Sequence, residues 1–282
     1  MILQTRLAEA RAQLVTAGFD PRDAAADVDV LARAVLGWDR VRLLTDQNLE
    51  TPGTLEPTFS QWIERRSRRE PSAYITGVRE FWGLEFRVTP AVLIPRPETE
   101  LIVEEALAQI GSFTAPRIAD IGTGSGVLAV SLAHELPEAR IVASDLSADA
   151  LAVARQNATR LGVADRIEFV ATSYLDGVDG PFDFIVANPP YVREKDARGL
   201  SPDVRHEPDV ALFGGADGLR DIAGVFDTVT RVLTPGGWLI MEFGLGQEEW
   251  VRELLATRQT LRIERVRDDL QGIARTAIIQ RQ

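Results

Sequence analysis

The sequence predicts an α/β protein in which an open, mostly parallel sheet follows a small helical unit. Two observations lead to this prediction. Residues 1–72 show helical periodicity without a strand pattern, whereas short apolar strands and amphipathic helices alternate from residue 117 to the end. Such alternation is typical of a parallel sheet with helices on both faces. We therefore expect a helical domain at 1–72, a hairpin linker at 73–96 and a sheet domain at 97–282.

The helical domain is predicted from apolar spacing and capping residues. Apolar side chains recur at helical spacing in the first helix, at Leu3, Leu7, Ala10 and Leu14. Gly18 marks its end, and a second helix begins with Asp20 as the N-cap and Pro21 at the first helical position. A third helix is predicted within residues 54–70.

Four arginines stand close together at the end of the third helix: Arg65, Arg66, Arg68 and Arg69. Such a run is usually a solvated helix face near a favourable C-terminus. A docking patch for an acidic or RNA-bound partner is the alternative that the sequence leaves open.

The linker is predicted from its turn residues. Alternating apolar and aromatic residues around Gly77 and Gly83 indicate a short hairpin, and Pro90, Pro95 and Pro97 then make a rigid passage.

Six strands are predicted in the sheet domain from short apolar runs, at residues 117–121, 140–145, 166–172, 182–188, 237–244 and 274–282. Helical patterns separate them at 126–136, 147–162, around 217–233 and at 247–258. Ligands of such sheets bind at the carboxyl ends of the strands, so side chains that follow the strands are the candidate site residues.

Composition excludes several classes of function. The 282 residues include no cysteine, which excludes disulfides and thiol catalysis. There are only two histidines, which disfavours a histidine-rich metal site. No window approaches a run of about 18 apolar residues, and the amino terminus carries charge where a signal peptide has an apolar core, so we expect a cytoplasmic protein. The net charge of -11 disfavours a nucleic-acid partner without excluding a local basic patch.

The stretch "DIGTGSG", residues 120–126, follows the first predicted strand of the sheet domain. The dinucleotide-binding pattern requires glycine at its sixth position, where this chain has Val127. The spacing resembles instead the first motif of the S-adenosylmethionine-dependent methyltransferases. This resemblance implies that Asp120 faces the methionine amino group and that the loop runs along the cofactor through Gly122, Thr123, Gly124, Ser125 and Gly126. An ordinary glycine turn is the alternative.

Asp145 ends the second strand, about 20 residues after the glycine loop, where an acidic side chain can accept both ribose hydroxyls. The alternative is that it caps the next helix. Ser147 is better placed for that cap, which leaves Asp145 for the ligand.

The stretch "NPPY", residues 188–191, ends the fourth strand, and its two prolines make a stiff extended loop. It resembles the signature of methyltransferases that modify a planar, conjugated nitrogen. The resemblance implies that the Asn188 side-chain oxygen and the Pro189 carbonyl accept the NH2 protons of the substrate, that Tyr191 packs on its planar group and that Pro190 fixes the loop. A proline-rich turn after a buried strand is the alternative.

Three further segments, "YITGVREFWGLEF", "LIPRPETE" and "RHEPDVALFGGADGL", complete a set that resembles the HemK or PrmC family of glutamine methyltransferases over essentially the whole chain. The resemblance implies a Rossmann-like class I methyltransferase fold with a seven-stranded, mostly parallel sheet and a helical substrate-recognition domain. It also implies methylation of the glutamine in the Gly-Gly-Gln loop of class 1 peptide chain release factors, giving N5-methylglutamine and S-adenosylhomocysteine. We expect a monomer without direct nucleic-acid or membrane contacts.

The family pattern adds Tyr174 and Asn188 to the cofactor contacts, and it places Arg96 and Glu98 along the cleft. Helix-start chemistry explains Arg96 and Glu98 equally well, because Pro97 suits a first helical position. One departure concerns the adenine contact, since Ser173 stands where the family usually has an acidic residue. A serine accepts a weaker hydrogen bond than a carboxylate.

Three alternatives to this function remain at the level of sequence. A ribosomal-protein glutamine methyltransferase would use the same chemistry on another protein. A nucleic-acid amino methyltransferase, such as one that acts on adenine, would have to flip a base and hold phosphates, which the acidic balance disfavours. A non-catalytic binding module would not require Asn188 and Pro189.

Overall fold

A computed structural model describes residues 1–111 and 113–282. The chain divides into two compact units, one of Met1–Val78 with Ser201–His206 and one of Arg79–Leu200 with Glu207–Gln282. The expected helical domain lies within the first unit. Most of the hairpin belongs to the second unit, in which the sheet also lies.

The first unit is helical, as predicted. Its α-helices are α1 (Leu3–Thr16), α2 (Pro21–Leu36), α3 (Arg40–Thr45), α4 (Thr58–Ser67) and α5 (Ser72–Thr76). All four apolar positions predicted for the first helix are buried, and the Asp20 carboxylate accepts a hydrogen bond from the Arg22 amide (2.8 Å) as the N-cap of α2. The short helix α3 was not predicted, because it buries only Leu43 and so shows no periodicity.

The arginine run of α4 is bound within its own unit. Arg66 is 5% exposed, donates from Nε to Asp27 (2.7 Å) and from Nη2 to Asp203 (2.6 Å), and lies over the ring of Phe19. Arg69 also stacks on Phe19. The expectation of a solvated helix face is therefore wrong for Arg66, whose buried guanidinium pairs with two carboxylates of the same unit.

A hairpin of β1 (Val78–Phe81) and β2 (Leu84–Arg87) lies at the start of the second unit, with Val78 counted in the first, as the turn residues predicted. A 3₁₀ turn, Pro97–Thr99, then leads into the first helix of the sheet domain. The remaining elements are α6 (Glu100–Gln109), β3 (Arg117–Ile121), α7 (Val127–Glu135), β4 (Arg140–Asp145), α8 (Ala148–Arg160), β5 (Ile167–Ala171), β6 (Phe182–Ala187), α9 (Asp209–Leu212), α10 (Arg220–Val232), β7 (Leu233–Glu242), α11 (Glu248–Ala256), β8 (Leu261–Asp268) and β9 (Ala274–Arg281).

The sheet has seven strands in the order β5-β4-β3-β6-β7-β9-β8. The first five run parallel, and β9 lies antiparallel between β7 and β8. This confirms the predicted seven-stranded, mostly parallel sheet and brings the carboxyl ends of β3, β4 and β6 to one edge. Buried side chains pack on both faces of the sheet, with α6, α7 and α8 on one face and α10 and α11 on the other.

Strand β8 was not identified from its sequence, because charged residues interrupt its apolar ones. The structure explains the charges: Arg265 and Arg267 on β8 both pair with Glu105 of α6, whose side chain is fully buried. In the part of the chain that the structure describes, no helix combines the length and apolarity needed to cross a bilayer.

Replacing Arg66 by alanine should destabilise the first unit by roughly 3 to 5 kcal/mol, because it leaves the Asp27 carboxylate inside the unit without its cation. Arg68 offers a matched control from the same run, since its partner Glu64 is exposed. The Arg68→Ala change should cost less than about 1 kcal/mol. Urea unfolding of the two variants at pH 7 tests this, and equal losses would show that Arg66 has no special structural role.

Candidate functional site

A cavity of about 360 Å³ opens at the carboxyl edge of β3, β4 and β6. Most of the residues expected to bind cofactor or substrate line it: Arg96, Gly122, Thr123, Gly124, Ser125, Asp145, Tyr174, Asn188, Pro189 and Pro190. Four others do not: Glu98, Asp120, Gly126 and Tyr191. The glycine loop and the NPPY loop, which are more than sixty residues apart in sequence, therefore share one cavity.

The glycine loop turns sharply between β3 and α7. Gly126 has φ +85°, and a Cβ there would lie 3.1 Å from the Cβ of Ala154 and 3.2 Å from its Cα. Only glycine suits this close approach, which seats the loop on α8. The buried Asn157 of α8 donates from Nδ2 to the Ser125 carbonyl (2.8 Å) and thus fixes the loop from below.

Asp120 lies beneath this loop rather than in the cavity. It is fully buried, and its Oδ2 accepts hydrogen bonds from the Thr123 hydroxyl (2.6 Å) and the Ala129 amide (3.1 Å). Its Oδ1 has no hydrogen-bond partner among the described residues. Burial raises the pKa of Asp120 to about 7, although both hydrogen bonds oppose this rise. The position differs from the direct cofactor contact expected from the sequence, because the motif does not reveal how deeply its first residue is buried.

Asp145 lies at the end of β4 and lines the cavity. Its two oxygens accept hydrogen bonds from the Gly124 amide (2.9 Å) and the Ser147 amide (2.9 Å), so the carboxylate joins the glycine loop to the start of α8. Ser147 caps that helix by accepting from the Ala150 amide (3.1 Å), as predicted. Each carboxylate oxygen has a second lone pair, which leaves acceptor capacity for a ligand.

Tyr174 forms the wall of the cavity beyond β5. Its backbone is left-handed (φ 51°), and its hydroxyl donates to Asp221 of α10 (3.0 Å). The ring lies directly against Gly224, where a Cβ would come 2.2 Å from Cζ. Burial and the neighbouring Asp221 raise the pKa of Tyr174 to about 12, so the phenol is neutral at physiological pH. Ser173 also lines the cavity.

Asn188 follows β6 and belongs to a chain of hydrogen bonds that leads into the core. Its Nδ2 donates to the Thr99 hydroxyl oxygen (2.9 Å), and the Thr99 hydroxyl donates to Glu242 Oε2 (2.7 Å). The Tyr191 hydroxyl donates to the other oxygen of Glu242 (3.0 Å). Tyr191 is thereby anchored to Glu242, which explains why its side chain does not line the cavity as the sequence led us to expect.

The NPPY loop is held on its outer side by two contacts. The buried Gln247 donates from Nε2 to the Tyr191 carbonyl (3.1 Å) and accepts from the Gly244 amide (2.7 Å). Gly214 lies so close that a Cβ there would come 2.4 Å from the Pro190 carbonyl oxygen. The segment "ALFGGADGL" therefore supports the loop, which gives a physical reason for its glycines.

Arg96 lines the cavity while its guanidinium pairs with Glu207 (2.5 Å). Glu207 is 5% exposed and also accepts from the Ile94 amide (3.0 Å). Glu98 lies in the 3₁₀ turn with Pro97 at its first position, which agrees with the helix-start interpretation.

Four residues that support the site were not identified from the sequence: Thr99, Asn157, Glu242 and Gln247. For Glu242 a signal was present, since a carboxylate interrupts the apolar run "LIMEFG" at the carboxyl end of β7. The other three are ordinary polar residues in or beside helical segments, and only their contacts distinguish them.

Solved structures with a similar fold are methyltransferases. The crystal structure of the hMettl16 catalytic domain in complex with MAT2A 3'UTR hairpin 1 matches with a TM-score of 0.59 and 17% identity, over 77% of this chain and 80% of that chain. The ribosomal protein L11 methylase from Lactobacillus delbrueckii subsp. bulgaricus matches with a TM-score of 0.50 and 22% identity, over 66% of this chain and 80% of that chain. At such low identities these similarities show the fold alone.

Sequence comparisons are more specific. Residues 98–202 match the Methyltransferase small domain, and residues 6–77 match the PrmC N-terminal domain. The release factor glutamine methyltransferase of Bradyrhizobium diazoefficiens is 44% identical over 90% of this chain and 86% of its own length. That of Moorella thermoacetica is 41% identical over 96% of both chains. With this identity over nearly its whole length, the chain belongs to the release factor glutamine methyltransferase family.

Proposed function

We propose that the protein transfers a methyl group from S-adenosylmethionine to the side-chain amide nitrogen of the glutamine in the Gly-Gly-Gln loop of class 1 release factors. The products are N5-methylglutamine, S-adenosylhomocysteine and one proton, which leaves the amide nitrogen once the N–C bond has formed and the S–C bond has broken. The observation that carries the proposal is the common cavity. The side-chain amide of Asn188, held by Thr99, lies there beside the glycine loop and the Asp145 carboxylate, which is placed to accept ribose hydroxyls. Family membership supports the identity of the substrate.

The cavity fits the proposed cofactor. Its volume of about 360 Å³ lies within the range of small-molecule sites. Asp145 offers acceptor lone pairs for the ribose hydroxyls, the backbone from Gly122 to Ser125 lines one wall, and Tyr174 with Ser173 lines another. S-adenosylmethionine, when bound, supplies a methyl group on a positively charged sulfur.

In the proposed reaction, two oxygens of the NPPY loop accept hydrogen bonds from the NH2 group of the substrate glutamine. An amide nitrogen is a weak nucleophile because its lone pair is delocalised into the carbonyl. The Asn188 Oδ1 and the Pro189 carbonyl accept the two NH2 protons, which localises the lone pair and stabilises the positive charge that develops on nitrogen. Pro190 fixes the loop, and a strong general base is unnecessary because positioning for in-line transfer does the remaining work.

Asp120 supports the reaction indirectly in this proposal. Its carboxyl group holds the glycine loop through Thr123 and the start of α7 through Ala129. Tyr191 likewise acts from behind the substrate pocket, through Glu242. Arg96 remains a candidate substrate contact because it lines the cavity, whereas Glu98 is assigned to the helix start.

The proposed partners are release factors, recognised in part by the helical unit that matches the PrmC N-terminal domain. We propose a monomer that acts in the cytoplasm, where release factors act, without direct contact with nucleic acid or membrane. The net charge of -11 supports a protein substrate over a phosphate backbone.

Methyl transfer from labelled S-adenosylmethionine should label a purified class 1 release factor and not total ribosomal protein or DNA. The matched control is the same release factor with alanine in place of the Gly-Gly-Gln glutamine, which should remain unlabelled. Label in ribosomal protein alone or in DNA alone would contradict the proposed substrate.

The Asn188→Ala change should lower kcat on the order of 100-fold, because it removes one of two hydrogen bonds that strengthen in the transition state. The dissociation constant for S-adenosylhomocysteine, measured by calorimetry, should change by less than about threefold, since the loss is confined to the transition state. Equal turnover in the variant and the parent would show that Asn188 does not have the assigned role.

The Asp120→Asn change should alter the pH dependence of stability. The folded pKa of Asp120, about 7, lies above its ordinary value of 3.8, so its contribution to stability is fully present below 3.8 and is lost as the pH rises through about 7. Between pH 5 and pH 8 the parent should lose roughly 2 to 3 kcal/mol of unfolding free energy that the asparagine variant keeps, because the variant has no carboxyl group to ionise. Urea unfolding at several pH values measures the difference, and a constant difference would show that the carboxyl is not held neutral by burial.

A further inference from the structure

Glu242 is a buried carboxyl group to which the proposed chemistry gives no role beyond anchoring Tyr191. It ends β7, is 1% exposed, and accepts hydrogen bonds from two hydroxyl groups, those of Thr99 and Tyr191. A buried charge is tolerated only when it is paired or hydrogen-bonded. Burial raises the pKa of Glu242, and Glu98 adds to this rise, whereas the two donors and the nearby charge of Arg275 on β9 stabilise the carboxylate.

Glu242 belongs to a hydrogen-bond network whose three other side chains, those of Thr99, Asn188 and Tyr191, come from two separate segments. Thr99 comes from the 3₁₀ turn before α6, and Asn188 and Tyr191 come from the loop after β6. The hydrogen bonds are continuous from the cavity to the core: the distance from Asn188 Nδ2 to Thr99 Oγ1 is 2.9 Å, and that from Thr99 Oγ1 to Glu242 Oε2 is 2.7 Å. The carboxylate is therefore connected through a single side chain, Thr99, to Asn188, which lines the cavity.

With Glu242 ionised, the form that the two hydroxyl donors and the charge of Arg275 favour, the direction of every hydrogen bond in this network is fixed. An ionised carboxylate only accepts, so the single hydroxyl proton of Thr99 is committed to Glu242. The Thr99 oxygen can then act toward Asn188 only as an acceptor, so Asn188 must donate an N–H to it. The planar amide of Asn188 consequently places its NH2 group toward Thr99, which leaves Oδ1 for the cavity that Asn188 lines.

We propose that Thr99 and Glu242 are positioning residues, which hold the Asn188 amide so that an acceptor rather than a donor meets the substrate nitrogen. This inference rests on the proposed function, because the orientation matters only where the substrate presents an NH2 group. A reversed amide would bring NH2 against NH2, and the lone pair of the substrate would not be localised.

The test compares two substitutions at one position. Thr99→Val keeps the size of the side chain and removes the hydroxyl, whereas Thr99→Ser keeps the hydroxyl. We expect Thr99→Val to lower kcat for release factor methylation by about 10-fold or more, with an unchanged dissociation constant for S-adenosylhomocysteine. Thr99→Ser should restore most of the lost rate. Glu242→Gln should also lower kcat, because an amide can donate to Thr99 and no longer fixes the direction.

Thr276 provides a matched control. It is fully buried on β9, directly opposite Glu242 in the strand pairing, and its hydroxyl has no hydrogen-bond partner among the residues that the structure describes. Thr276→Val therefore removes a buried hydroxyl from the same region without touching the chain of hydrogen bonds. Its kcat should equal that of the parent.

A second measurement needs no substrate. The side-chain NH2 signals of Asn188 in ¹⁵N NMR spectra should include one slowly exchanging proton in the parent and in Thr99→Ser, and only rapidly exchanging protons in Thr99→Val. Parental kcat in Thr99→Val, equal losses in the valine and serine variants, or equal exchange in all three proteins would overturn the positioning role. Absence of release factor methylation by the parent would overturn the proposed function instead, and the exchange rates would still decide the orientation.

Discussion

The hydrogen bond from Asn188 to Thr99 is the interaction on which the site depends. It connects the edge of the sheet, where ligands of open α/β folds bind, with a carboxylate in the core. Asn188 alone would be a flexible amide that could present either its oxygen or its nitrogen. Because Thr99 is committed to Glu242, one orientation becomes fixed, and the pocket presents oxygen rather than nitrogen to its substrate.

Similar contacts recur around the cavity, where buried polar side chains hydrogen-bond to the loops that line it. Asp120 holds the glycine loop from beneath, Asn157 holds it from α8, and Gln247 holds the carbonyl of Tyr191. These supporting groups are buried, so their hydrogen bonds are strong and their loss leaves a buried group unsatisfied. These bonds hold the glycine loop and the NPPY loop in one arrangement, as catalysis by positioning requires.

The sequence predicted features that are encoded in short stretches, but not contacts between residues that are far apart along the chain. The turn at the glycine loop, the Ser147 cap and the strands that precede them are encoded in short stretches, and the structure confirms these local features. The bond between Asn188 and Thr99 spans 89 residues, and that between Thr99 and Glu242 spans 143, so no local pattern predicts either. A motif also does not show how deeply each of its residues is buried, which is why Asp120 was expected in the cavity. Strand β8 was missed because its arginines neutralise a carboxylate on a distant helix.

The central claim concerns the direction of hydrogen bonds, and hydrogen positions test it most directly. In a neutron structure of the deuterated protein with S-adenosylhomocysteine, both side-chain deuterons of Asn188 should lie on the atom nearest Thr99, and the Thr99 deuteron should point to Glu242. The cavity-facing atom of Asn188 should carry none. Deuterons on that cavity-facing atom, or a Thr99 deuteron directed at Asn188, would contradict the account.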